Sequence, residues 1–429
     1  MEIPRDVKSL LKEYEKLYAR TERRIEDSLR RITDTLHCKT VDRVPVIQTT
    51  QTFLYPRHEI FYSREKNLIS QLANINRTLI HETDYVPFLD PFEGVTVLAE
   101  AFGCKVEVPL YGDPWIREPL IHQNHDDVWF LKKPESSNHI YTRTLETLRF
   151  FEENTGFAIP VGATDPQGPL DVASLIWNNS YFLQSCLLHK KEVHHLLNII
   201  TDAFIEFYTM QYECLRNPAY PVHSFQLVNS NDGISISDDE AVLLSPELFE
   251  EFGVPYLSRI ADSFGGLYYH CCGDFGHILD KILCIEGLRA INGHLSPNEL
   301  KPEYIVKIID KGVGLFIGMS DIEIGWEDPD WKHDNITELY DNYYIPAVIE
   351  KTKGRGVVLV GYGGYSGYLD IPEYGDSDRL MVDSSGHAIH KGSLLNFSIE
   401  EKNANFRHIN QIVEKQINQS LDQRTINPN

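Results

Sequence analysis

Eight short apolar runs, most of them separated by stretches long enough for a helix, constrain this chain more than any other feature of its sequence. They are Val44–Gln48, Tyr85–Leu89, Ala158–Gly162, Ser224–Val228, Gly266–His270, Leu288–Asn292, Gly314–Gly318 and Val357–Gly361. A near-continuous apolar run of this length is the pattern of a strand covered on both faces. Between most of the runs apolar residues recur every three to four positions, as in Val193, Leu196, Leu197, Ile200, Phe204 and Tyr208. Pro246–Phe252, behind the cap-like Ser245, is another such pattern. Strands joined through helices pair in parallel, and eight of them predict an α/β fold, a (β/α)8 TIM barrel. An open doubly wound sheet would carry a Gly-x-Gly-x-x-Gly turn after its first strand, and none is present. The glycine-rich Gly361–Gly367 has the wrong spacing and no lysine, and reads as a strand-end loop.

The barrel is expected to span 41–397. Ahead of it, 1–40 forms a helical extension whose Leu10, Tyr14, Leu17, Ile25, Leu29, Ile32 and Leu36 make one apolar stripe. Behind it, 398–429 is a polar C-terminal helix and tail, and a Pro-rich excursion from about 103 to 150 is expected over one barrel mouth. The charge balance, 63 acidic against 40 basic residues for a net −23, argues against nucleic acid or an anionic membrane surface as partner. No window is apolar enough to span a membrane and the start lacks an apolar signal core, so a cytoplasmic protein is expected. Seven cysteines, two of them adjacent, suit reduced thiols better than a disulfide framework.

The sharpest chemical signal is Leu267–Gly276, which contains His270, Cys271 and Cys272. At the end of a strand the period of two puts His270 and Cys272 on one face and Cys271 on the other. An imidazole and a thiolate are donors that zinc takes, and a catalytic zinc needs a further protein ligand with one position left open. Packed sulfur side chains are the alternative reading. Carboxylates recur at other strand ends: Asp90, Asp165, Asp238, Asp239 and Asp321. In a barrel these loops share one face, where acids act as general acid or base or bind cationic nitrogen. Each also suits a helix N-cap, and spacing leaves both roles open. Asp238 and Asp239 are the least cap-like, because Ser245 already fills that place. His294 and Tyr362 follow strands toward the same mouth.

The order of several segments resembles the uroporphyrinogen decarboxylase superfamily (URO-D), and within it the corrinoid-linked methyltransferase branch. The segments are Val41–Val46, Leu98–Gly103, Asp165–Pro169, Asp238–Phe249, Pro255–Tyr256 and His270–Gly273. The resemblance implies a TIM barrel with two chemistries to choose between. The decarboxylases' arginines after the first strand are absent, since that place reads Gln48–Tyr55, and Tyr362 stands where their late histidine falls. The methyltransferase branch implies zinc on His270 and Cys272 plus a later cysteine, yet no cysteine follows Cys284. Tyr362, Asp321, His294 or a water is left as the third ligand. The expected function is therefore methyl transfer between a small methylated substrate, such as a methoxy or methylamine compound, and a corrinoid (cobalamin) on a partner protein. Asp90, Asp165, Asp239 and Asp321 would act on the substrate, with Gln167, Asp238 and Tyr362 contacting it, and a homodimer is implied by the resemblance alone. A metal-free decarboxylase-like lyase and a non-catalytic barrel that binds a tetrapyrrole or corrinoid are the rival expectations.

Overall fold

The computed structural model describes residues 6–49, 54–91, 93–109, 113–222, 226–228, 233–293, 302–319 and 345–362, with two short paired segments at 381–382 and 388–389. The chain opens with one unbroken helix, Val7–Leu36, capped by Asp6, whose carboxylate accepts from Ser9 N at 2.8 Å. Strand β1 (Val46–Thr49) follows. Hairpins β2 (Lys105–Glu107) with β3 (Trp115–Glu118) and β4 (Tyr220–Val222) with β5 (Gln226–Val228) are antiparallel. Five further strands then alternate with helices: β6 (Ile234–Ser237), β7 (Leu267–Cys271), β8 (Leu288–Gly293), β9 (Gly314–Met319) and β10 (Val357–Tyr362).

Strands β1 and β6 to β10 form a parallel sheet in the order β1-β10-β9-β8-β7-β6. At its open side the ring continues through single parallel bridges. Val161 bridges both Leu89 and Pro218, and Gln167 bridges Ser237 of β6. Asp84 N–H donates to the carbonyl of Val46 at 2.9 Å, which ties the 84–89 segment to β1. Seven of the eight expected runs therefore take their barrel places. The fourth place does not belong to Ser224–Val228: Gln226–Val228 is an arm of the β4/β5 hairpin, and Ile234–Ser237 fills the ring.

The register explains why that run was hard to see. Ser235 pairs with Tyr268 and Ser237 with His270, so the serines share the interior-facing parity while Ile234 and Ile236 face the helices. A strand with hydroxyls on one face breaks the continuous apolar pattern. Gly233 opens it at φ +131°, where an added Cβ would lie 2.3 Å from the Gly266 carbonyl carbon, so only glycine fits.

Two packed layers result. Outward residues of the strands, among them Leu267, Tyr269, Ile291, Leu315 and Leu359, pack on the surrounding helices. Inward residues such as Tyr268, Ala290, Phe316, Val358 and Val360 belong to one cluster with Leu10, Tyr14, Ile25, Ile32 and Leu36 of the first helix. The stripe read from sequence is thus buried, at roughly 1.5–3 kcal/mol for each large apolar side chain. The expected C-terminal helix and tail, 398–429, lies outside the described residues.

The first helix is also pinned by a buried carboxylate. Asp84, 0% exposed, accepts from Ser28 Oγ at 2.9 Å, Arg31 at 2.7 Å, Arg43 at 2.5 and 2.8 Å and Val46 N at 2.9 Å. Removing it leaves Arg43 without its carboxylate, Arg31 with only the exposed Asp42, and Ser28 Oγ and Val46 N without their acceptor, so Asp84→Ala is expected to cost about 3–5 kcal/mol in a urea unfolding experiment. A loss below about 1 kcal/mol would show that this junction does not hold the helix.

Candidate active site

Adjacent strands bring the key side chains together. Ser237, His270 and Asn292 are register partners across β6, β7 and β8, so all three point into the barrel. Cys271 shares the outward parity of Leu267 and Tyr269 and is buried among the helices, whereas Cys272 lies just past the strand end. The expected division of the two cysteines is the one observed. His270 is 0% exposed, and its Nδ1 donates to Asn292 Oδ1, which holds the lone pair of Nε2 toward the mouth. Cys272 Sγ sits 3.1 Å from that Nε2.

Asp239 completes the group. Its Oδ1 accepts from Cys272 N at 2.6 Å and lies 3.9 Å from His270 Nε2. One donor atom from each of Asp239, His270 and Cys272 lies within 4.8 Å of the others. The sequence leaves the third ligand among Tyr362, Asp321, His294 and water; among the described residues the carboxylate that meets the pair is Asp239. Asp321, His294 and the side chain of Tyr362 lie outside the described residues. The signal for Asp239 was its place directly after a strand neighbouring the His-x-Cys strand, which sequence could not reveal while the fourth strand was misplaced. Nitrogen, sulfur and carboxylate oxygen are all zinc donors, so the residues present fit that metal. Although Cys272 is exposed at the strand end, the protein packed around its thiol, and then the Asp239 carboxylate, push it above its ordinary pKa. A divalent cation would reverse both effects and draw the thiol to thiolate.

Asp238 has a different place. It is 0% exposed, and its Oδ1 accepts from Leu170 N at 3.1 Å and Asp171 N at 3.2 Å, capping the helix Pro169–Ile176 from another segment. Gly168 makes room for it, since a Cβ there would come within 2.5 Å of Asp238 Oδ1. In return Asp171 Oδ1 accepts from Glu240 N at 2.8 Å. Burial holds the Asp238 carboxyl well above the usual carboxylate range, opposed by the main-chain donors and reinforced by the Asp239 charge. Expected as a substrate contact, Asp238 is instead seen holding the loop that presents Asp239.

The remaining acids line the mouth. Asp90 follows Leu89 and Asp165 follows the Val161 bridge. Asp90 is raised to about 7 by burial and then by Asp165, against the pull of Arg57. Asp165 is raised to about 6 by burial, opposed by a hydrogen bond from Gln167 and reinforced by Asp239 and Asp113. Gln167 therefore meets Asp165, and Tyr208 Oη donates to the Asp165 carbonyl at 2.8 Å. Arg57, unremarked in the sequence, lies 3.5 Å from Asp113. It stands just after the stretch read as lacking arginines, and only the turn into its helix brings it to the mouth.

Because Asp90 and Asp165 bind protons more tightly here than in an unfolded chain, their ionisation removes stability as pH rises from about 4 to about 7. Asp90→Asn is expected to match the wild type in thermal melts near pH 4 and to exceed it at pH 8, by about 1 kcal/mol or a few degrees. An equal or lower midpoint at pH 8 would contradict the placement of Asp90 beside Asp165.

Residues 27–215 match the family model for uroporphyrinogen decarboxylase. Among solved structures, a methyltransferase from Methanosarcina mazei has the same fold, with a TM-score of 0.57 over 78% of this chain and 92% of that one. The two sequences are 20% identical. No protein of curated function matches this chain.

Proposed function

From the match of residues 27–215 to that family model and the shared fold, we propose that the chain is a methyltransferase of the uroporphyrinogen decarboxylase superfamily, moving a methyl group between a small methylated substrate and a corrinoid carried by a partner protein. The observation that carries the reading is the convergence of Asp239, His270 and Cys272. These three residues would hold a zinc ion. When bound, it supplies Lewis acidity, polarising a substrate oxygen or nitrogen or lowering the pKa of a thiol.

The chain's own residues account for the rest. Asn292 keeps the His270 imidazole in one tautomer, with the Nε2 lone pair turned toward Cys272 and Asp239. Asp90, raised to about 7, stays partly protonated at neutral pH where an ordinary carboxyl would have lost its proton, and is the general acid; Asp165, raised to about 6, is protonated to a smaller extent. When the methyl group leaves, the electron pair of its old bond stays on the substrate heteroatom, which takes that proton. Gln167 orients Asp165, Asp238 fixes the loop of Asp239, and Asp321 and Tyr362 are assigned to the substrate by their strand-end positions. A polycarboxylate substrate is disfavoured: among the described residues Asp90, Asp113, Asp165 and Asp239 face the mouth, and Arg57 already lies beside Asp113.

Elemental analysis of the purified protein beside Cys272→Ser tests this reading. About one zinc per chain, lost in the variant, is expected, together with methyl transfer to reduced free cobalamin that falls at least 100-fold in Cys272→Ser. No metal in either protein after zinc is offered back would overturn it, as would carbon dioxide release by a metal-free preparation. Asn292→Ala should weaken zinc binding by roughly 10–100-fold while leaving the stoichiometry at saturation unchanged, measured by competition with a chromogenic chelator. Unchanged affinity would remove Asn292 from the centre.

A further inference from the structure

Outside this site, the 3-10 helix His125–Phe130 lies along the helix Lys190–Cys214, and we propose that the two segments hold a second divalent metal ion of the zinc class on His125, Asp126 and Glu192. One donor atom of each lies within 4.8 Å of the others. Nothing in the barrel chemistry uses these residues.

Three features favour a cation here. The carboxylates lack compensation: among the described residues no lysine or arginine pairs with Asp126 or Glu192, although on the same helix Asp202 pairs with Arg259 and Glu206 with Lys133. The imidazole is held in place, because the His125 ring stacks on His189 at 3.6 Å and 13°. The turn itself is set by Asn124 Nδ2 donating to Asp127 Oδ1 at 2.7 Å and by the fully buried Val128. An ordered nitrogen donor with one carboxylate beside it on the same turn and a second from the facing helix is a ligand set made across tertiary structure.

The donor chemistry narrows the metal. An imidazole with two carboxylates suits zinc, nickel or cobalt, whereas calcium and magnesium prefer oxygen alone. With no thiolate and with partly exposed ligands, affinity should be lower than at the Asp239–His270–Cys272 group. Bound there, the ion would clamp the excursion that carries the exposed Trp129 and Phe130 onto the helix.

Cobalt(II) titration reads the two sites separately, because only a thiolate ligand produces sulfur-to-cobalt charge transfer in the near ultraviolet. Wild type is expected to take up a first equivalent with that absorption and a second, at least 10-fold weaker, without it. His125→Ala and the shape-preserving Glu192→Gln should each lose the second equivalent alone, and Cys272→Ser the first alone. The proposal is overturned if the second equivalent is absent from wild type, or persists unchanged in both His125→Ala and Glu192→Gln. Neither substitution touches the barrel mouth, so that failure would leave the methyltransferase reading standing.

Discussion

The buried carboxylate of Asp238 is the joint on which the candidate site depends. Its main chain follows directly on β6 and donates to the His270 carbonyl at 3.0 Å, while its side chain caps a helix that starts after Gly168. Asp171 answers by accepting from Glu240 N, so two segments cap each other in the interior. An uncompensated carboxylate there would be costly, and two main-chain N–H groups at a helix start are what make it tolerable. Asp239, one residue on, is thereby delivered beside Cys272 N with little freedom to turn away.

The same crowding of acids that the fold imposes also sets the chemistry of the mouth. Burial raises the proton affinity of carboxylates brought to one end of a barrel, and their mutual repulsion adds to it, as Asp90 and Asp165 show. A site built this way has two uses for its strain. It can keep a carboxyl protonated near neutral pH, where proton transfer is efficient, and it rewards any cation that enters. The thiol of Cys272 follows the same logic, being held protonated by its loss of solvent and then by Asp239 until a positive charge arrives.

At the other end of the ring the problem is mechanical. A parallel ring leaves its interior open unless something closes it, and the helix Val7–Leu36 shares one apolar cluster with the inward side chains. Asp84 fastens this helix to β1 through Arg31 and Arg43 on either side of a single carboxylate. Closure below and chemistry above are thus separate jobs, each organised by one buried aspartate.

Much of this was legible in the chain itself. The apolar runs gave the barrel class and seven of its eight places, because burial on both faces leaves an unmistakable local pattern. The period of two assigned His270 and Cys272 to one side and Cys271 to the other, which the strand β7 bears out. The fourth place was misread because Ile234–Ser237 turns serines inward while the neighbouring hairpin arm Gln226–Val228 carries the more apolar run. The partners of His270 were hidden for a deeper reason. Asn292 and Asp239 lie 22 and 31 residues from it along the chain, and only strand register sets the first opposite its ring and only the Asp238 cap turns the second toward its Nε2. Sequence by itself determined which donors this protein owns and which face of a strand presents them, since those follow from local periodicity. Which donors meet was decided by tertiary structure alone, because pairing register and a cap between distant segments leave no local trace.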